Sequence, residues 1–386
     1  MSALADRVAR ELARLDASNL RRRRRVLDSP QGAHVHEAGG GCVNFSSNDY
    51  LGLASDARLR AAAHAAIDAY GVGAGASPLV TGNLRVHEEA EERFAGFVAL
   101  PRALLFPSGY AANLGILTTL GEADAEIFSD RLNHASLIDG ARLSRAKVTP
   151  YAHLDLDDLE AKLAQSAAAT KIVATDAVFS MDGDVAPLAE ILALCERFDA
   201  WLCLDDAHGI GVLGRGGRGC LDHFAVASRR IVYMATLGKA LGGYGAFACG
   251  DAQVVEWLMQ RARAYIYSTA LPPMAGAVVV AALDVLDSDD TPVPRLHARI
   301  RRFRAECERL GVELSASCTP IQPIIVGDAQ RALAAAARLR ERGLLVPAIR
   351  PPTVPAGTSR LRVSLSAAHT EGEIDALAAA LRETLA

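Results

Sequence analysis

WLCLDDAHGIGVLGRGGRGC, residues 201–220, and IVYMATLGKALGGYG, residues 231–245, decide the fold. Each opens on a short apolar run, Trp201–Leu204 and Ile231–Ala235. Both runs have the length and the β-branched or aromatic content of a buried strand. The first delivers Asp205, Asp206 and His208 to its carboxyl end. The second delivers Thr236 and Lys239, followed by Gly242, Gly243 and Gly245. In open α/β sheets, ligands bind outside the carboxyl ends of the strands. A carboxylate, an imidazole and an amine can therefore converge on one ligand.

That set suits pyridoxal phosphate, which takes a lysine for its Schiff base and an acidic partner for its pyridine nitrogen. An aspartate there keeps the nitrogen protonated and makes the ring an electron sink. Asp205 fits the acid and Lys239 the amine. Either alone reads as a solvated carboxylate or a surface lysine. The pair, each member following an apolar run, favours the cofactor.

Composition bounds the rest. The chain has 386 residues, 51% hydrophobic and 22% charged, enough for one large and one smaller domain. A net charge of −4 gives no nucleic-acid footprint. The cysteines are scattered, without C-x-x-C or zinc spacing, so no metal is expected, and buried thiols suit a reducing cytoplasm. MSALADRVARELARLD is charged and periodic, unlike an apolar signal. No run reaches the ~18 apolar residues of a membrane span.

Along the chain, Ala3–Leu20 reads as an amphipathic helix with Leu4, Val8, Leu12 and Leu15 on one face. Arg21–Arg25 follow, either as a basic run favoured at a helix end or as an anion clamp. VNFSSNDYLGL from Val43 is a strand entering a polar turn. Helix Ala57–Tyr70 leads into a glycine-rich loop at Gly71–Gly75 that lacks the context of a dinucleotide fingerprint. Strand Ala103–Phe106 precedes PSGYAANLGIL, where Ser108, Gly109 and Tyr110 open a helix. Exposed amides there can take a phosphate, although Ser is also a common N-cap. Strand Glu126–Ser129 leads to DRLNHAS with His134, and strand Lys171–Val178 to Ser180 and Asp182. Gly214–Gly219 lacks the G-K-[ST] of a P-loop. Strand–helix alternation argues for a parallel sheet covered on both faces. DSDDTPVP, residues 287–294, is the best linker. Beyond it come helix Leu296–Leu310, strand Gln322–Val326, helix Ala329–Arg342, strand Leu344–Ile349, strand Arg362–Ser366 and a last helix. Arg350 precedes two prolines that hold it extended, which suits bidentate carboxylate binding.

NFSSNDYLG, DRLNHAS, VFSMDGD, DDAHG, TLGKA and IRPPTVPAGTSRLR together resemble the α-oxoamine synthases among the fold-type I pyridoxal-phosphate enzymes. The resemblance runs from Arg21 to the last helix. It implies an α/β fold with a mostly parallel central sheet, helices on both faces and a smaller α+β C-terminal domain. The expected division is 1–45, 46–287 and 288–386. Strand Ala246–Cys249 is expected to run antiparallel. Cofactor contacts are expected from Ser108, Gly109, Tyr110, His134, Ser180, Asp205, His208, Thr236 and Lys239. His134 would stack on the ring and His208 would reach its phenolic oxygen. Lys239, His134 and Asp205 would be the catalytic set. Arg21, Asn48, His134, Tyr267, Arg350 and Thr353 would meet substrate, with Arg350 on its carboxylate. AYIYSTALPP, residues 264–273, would reach the active site of the partner in a homodimer. The last motif is similar to the branch that condenses L-alanine with a pimeloyl thioester. Glycine-using relatives and a silent pyridoxal-phosphate binder are the alternatives, and the acyl carrier stays open between coenzyme A and a protein.

Overall fold

The computed structural model describes every residue except Met1, Ala38, Asp289 and Ala386. The chain forms two compact units. One comprises Asn48–Ser180 and Asp184–Leu296; the other comprises Met1–Ser47, Met181–Gly183 and His297–Ala386.

The strands are β1 (His34–Glu37), β2 (Gly40–Asn44), β3 (Arg102–Phe106), β4 (Ala125–Asp130), β5 (Lys147–Tyr151), β6 (Thr170–Asp176), β7 (Ala200–Asp205), β8 (Ile231–Thr236), β9 (Ala246–Gly250), β10 (Ile321–Gly327), β11 (Leu344–Leu345), β12 (Ala348–Ile349) and β13 (Ser359–Ser364). The larger unit is built on a seven-stranded sheet in the order β3-β9-β8-β7-β6-β4-β5. Only β9 opposes its neighbours, as the resemblance implies. β4 and β9 are buried along their whole length and β6–β8 nearly so. Residues such as Ile172, Leu202, Val232 and Phe247 are fully enclosed. Strands covered on both faces read as continuous apolar runs, which is why the sequence shows them. β5, KVTPY, is the mostly exposed edge strand, and the sequence reading misses it because it has neither an apolar run nor alternation. At the other edge, the Leu105 amide of β3 donates to the Glu91 carboxyl at 2.7 Å. Burial pushes that carboxyl up to about 8, against the pull of the same amide. The contact occupies an edge donor that another chain could otherwise pair with.

In the smaller unit, β13 lies between β10 and β12, while β2 lies between β1 and β11. The single strand expected over 344–349 is two short pieces in two sheets. β11 pairs with β2 and β12 with β13. The chain changes sheets at Val346–Pro347, where proline has no amide to continue a ladder. The sequence division sets the N-terminal segment apart, yet here it belongs with the C-terminal residues, because β2 pairs with β11 three hundred residues later. Composition does not register such a pairing. Within the 287–294 linker, Asp289 lies outside the described residues. The change of unit falls beyond the linker, inside helix Val293–Leu310.

Behind β4, His153 lies between two carboxylates. Its Nδ1 is 3.0 Å from Asp130 and its Nε2 is 2.8 Å from Asp184. Burial lowers the imidazole pKa, but the two acids outweigh it and hold the ring at about 10. A folded-state value above the unfolded ~6.5 gives stability that is complete below that pH and lost as pH rises toward the folded value. After discounting for the partly exposed ring, about 1–2 kcal/mol remains. The urea midpoint of His153→Gln should therefore fall furthest below the parent at pH 6, and the gap should close as pH approaches 10. A gap that widens over that range would exclude the charged histidine.

Candidate active site

β6, β7 and β8 end side by side. Asp176 is level with Asp205, and Asp205 with Met234. Polar residues just past these ends line a cavity of about 180 Å³ in the larger unit. Asp205, His208, Thr236 and Lys239 come from the stretches 201–220 and 231–245. Gly109 and Tyr110 come from the start of helix Gly109–Leu120. His134 and Ser180 also line the cavity, whereas Ser108, expected with them, does not. Ser108 caps that helix, its hydroxyl accepting the Ala111 amide at 3.1 Å, so the first turn presents its remaining amides beside the cavity wall.

Two neutral donors hold Asp205. Asn113 Nδ2 donates to one carboxylate oxygen at 2.7 Å and the Ala207 amide to the other at 2.9 Å. Asn113 also donates to Ser136 at 2.8 Å. Asp206 is turned away from the cavity. It accepts the Tyr233 hydroxyl at 2.7 Å and the Cys220 amide at 2.8 Å. A Cβ on Gly209 would lie 2.0 Å from its carboxylate, so the glycine leaves room for that acid. Burial pushes Asp206 up to about 6.

Lys239 Nζ lies 2.9 Å from His208 Nε2, and His208 Nδ1 lies 2.7 Å from the Tyr50 hydroxyl. Tyr50 donates to Asn48 Oδ1 at 3.2 Å. The Tyr50 hydroxyl thus links His208 Nδ1 to Asn48, while His208 Nε2 faces the lysine. Asn48 thus joins the site through Tyr50, which the sequence reading had not singled out. His134 caps helix Ala135–Leu143 with its ring nitrogen, which accepts the Ser136 amide at 3.2 Å. Burial lowers its pKa; Asp205 opposes this and Lys239 adds to it.

The remaining candidates lie elsewhere. In the smaller unit the Arg350 guanidinium donates to the Asn19 carbonyl, Arg22 donates to Thr353 at 3.0 Å, and Arg21 pairs with Asp16. The basic run therefore meets the IRPPT segment. Tyr267 is 71% exposed, 4.8 Å beneath the Arg263 guanidinium, and does not line the cavity. Asp176, Asn113 and Ser136 were missed. Asp176 had a readable signal, a carboxylate ending an apolar run just as Asp205 does. Asn113 lies inside an apolar helix and has none.

A family model for aminotransferase class I and II matches residues 40–381. The 8-amino-7-oxononanoate synthase of Aromatoleum aromaticum is 52% identical over 379 residues, covering 98% of each chain. That of Nitrosomonas europaea is 51% identical, covering 98% of this chain and 99% of its own.

The chain belongs to the 8-amino-7-oxononanoate synthase family.

Solved relatives agree on the fold. A serine palmitoyltransferase of Sphingomonas wittichii superposes with a TM-score of 0.93 at 29% identity, covering 99% of this chain and 97% of its own. The 8-amino-7-oxononanoate synthase of Francisella tularensis gives 0.77 at 33% identity, covering 89% and 97%. The higher TM-score reports backbone placement, whereas the sequence identity tracks the side chains that separate members of a fold.

The donor set fits pyridoxal phosphate. It offers an amine to bond covalently, a carboxylate for a ring nitrogen, and a helix start for a phosphate. Lys239→Ala should still take up the cofactor but should not retain it covalently after borohydride reduction. Covalent retention in that variant would move the anchor to another lysine.

Proposed function

We propose that this protein catalyses the decarboxylative condensation of L-alanine with a pimeloyl thioester, giving 8-amino-7-oxononanoate, carbon dioxide and free thiol for biotin biosynthesis. It works as a pyridoxal-phosphate-dependent acyltransferase in the cytoplasm and as a homodimer. The observation that carries this reading is one cavity holding Lys239, Asp205, His208 and His134, in a chain about half identical along its length to enzymes of that name.

When bound, pyridoxal phosphate supplies an electron sink for negative charge at the amino acid Cα. The chain supplies the rest. Lys239 holds the cofactor and, once released, takes the Cα proton at Nζ. His208 Nε2, 2.9 Å from that amine, orients it. Asp205, gripped by Asn113 and Ala207, keeps a proton on the ring nitrogen. His134, neutral near pH 7 because burial lowers its pKa, offers a flat face to the ring without adding charge. The helix start at Ser108–Tyr110 holds the phosphate. Arg350 and Thr353 receive the alanine carboxylate, and Arg350 exchanges the Asn19 carbonyl for it. Arg21 serves the far carboxylate of the pimeloyl chain. The 264–273 segment, with exposed Tyr267, serves the partner's site.

Mass spectrometry of the product formed from alanine and pimeloyl-CoA tests the reaction. Turnover of glycine with a short acyl-CoA in preference to this pair would assign the chain to a different branch. Arg350→Ala should weaken alanine binding by ten- to a hundredfold, as expected from a charge-assisted contact of ~1.5–3 kcal/mol, with cofactor affinity unchanged. Spectral titration with alanine reads this, and an unchanged alanine affinity would locate the carboxylate site elsewhere.

A further inference from the structure

The mechanism above leaves one buried acid of the cavity unused. Asp176 ends β6 level with Asp205 on β7, so neighbouring parallel strands direct the two carboxyl groups to the same face of the sheet. It lines the same cavity and is almost fully enclosed. One oxygen accepts the backbone amide of His134 at 2.7 Å. The Asp176 amide in turn donates to Asn133 Oδ1 at 3.0 Å, so acid and histidine segment are tied by two bonds.

We propose that Asp176 is a further positioning residue of this site, one that fixes the His134 segment and leaves Asp205 as the single carboxylate facing the cofactor ring. The proposal rests on the reading of Asp205 as partner of that ring.

Two adjacent carboxylates cannot both ionise cheaply in an enclosed space. Asp205 has two neutral donors, whereas Asp176 has the one His134 amide. The charged and polar groups around Asp176 are Asp205 from β7, Asp130 from β4, Lys239 beyond β8 and that amide. Burial and the Asp205 charge raise Asp176 well above the carboxylate range, while the amide and Lys239 pull the other way. Burial and the neighbouring Asp205 thus both favour the protonated form of Asp176. It positions His134 without competing with Asp205 for the ring nitrogen's positive charge.

An acid raised in the folded state binds a proton that the unfolded chain releases above ~3.9. Stability then falls with rising pH between those two values. Asp176→Asn, an isostere of the protonated acid, removes this cost and still accepts the His134 amide.

The test compares Asp176→Asn, Asp176→Ala and Asp205→Asn with the parent. In the cofactor-free protein, Asp176→Asn should have a urea midpoint at pH 8 no lower than the parent, and a shallower decline as pH rises above ~4. In the loaded enzyme, Asp176→Asn should exchange the alanine Cα proton within about threefold of the parent. Asp176→Ala should lose tenfold or more, because its His134 amide is left unpaired. Asp205→Asn should lose ~10²–10³. The proposal is overturned if Asp176→Asn falls as far as Asp205→Asn, since the charge itself would then be needed. It is equally overturned if Asp176→Ala matches the parent, or if Asp176→Asn lowers the cofactor-free midpoint with an unchanged pH slope. If Asp205→Asn alone exchanges normally while the Asp176 results stand, the reading of Asp205 fails, and only the part in which Asp176 fixes the His134 segment survives.

Discussion

A carboxylate at the end of a buried strand costs several kcal/mol unless its oxygens are met by donors. Asp205 is met by Asn113 and the Ala207 amide, and no basic side chain bonds it among the described residues. Much of the larger unit can be read as the means of keeping that arrangement. The central strands are enclosed, so their ends cannot drift. Helix Gly109–Leu120 delivers Asn113 on one turn and the phosphate-suited amides on the first. Asp206 faces the opposite side of the chain and ties the turn to Tyr233 and Cys220. Two adjacent aspartates thus part ways: Asp205 lines the cavity and Asp206 anchors the backbone beside it.

The second organising feature is a line of hydrogen bonds from Lys239 through His208 and Tyr50 to Asn48. Each member has a neighbour that restrains its orientation. The Lys239 amine, proposed above to bond the cofactor and carry a proton, is therefore aimed before any ligand arrives. Such preorganisation is what allows a site to stabilise charge without rearranging around it. Asp130 likewise serves two places. It holds His153 behind β4 and contributes to the field around Asp176.

The smaller unit shows a different kind of economy. Arg350 and Thr353 already have partners in residues 19–22, so under the proposed function substrate recognition there would be an exchange of contacts. An arginine that swaps a carbonyl for a carboxylate gains charge pairing while losing little ordering, since its guanidinium is already directed.

Much of this was readable in the sequence. Fully buried strands appear as apolar runs, and a residue following such a run lies at a sheet end. This is how Asp205, His208, Thr236 and Lys239 declare themselves in the sequence. The motif resemblance added His134, Ser180 and the helix start at Ser108, which spacing alone leaves ambiguous. The sequence reading took Asp205 rather than Asp206 as the cavity acid, but strand pattern gives no physical ground for separating the two. Strand alternation ends at the turn, and only the positions of Tyr233, Cys220 and Asn113 decide it. Nor could the sequence show that Asp176 stands level with Asp205, because register is a property of two strands and not of either one. The pairing of β2 with β11, and of residues 19–22 with Arg350 and Thr353, joins segments more than three hundred positions apart. Local pattern determined the elements and the chemical groups they carry. Packing between distant segments decided which groups meet, because those contacts depend on burial and hydrogen-bond satisfaction across the whole fold.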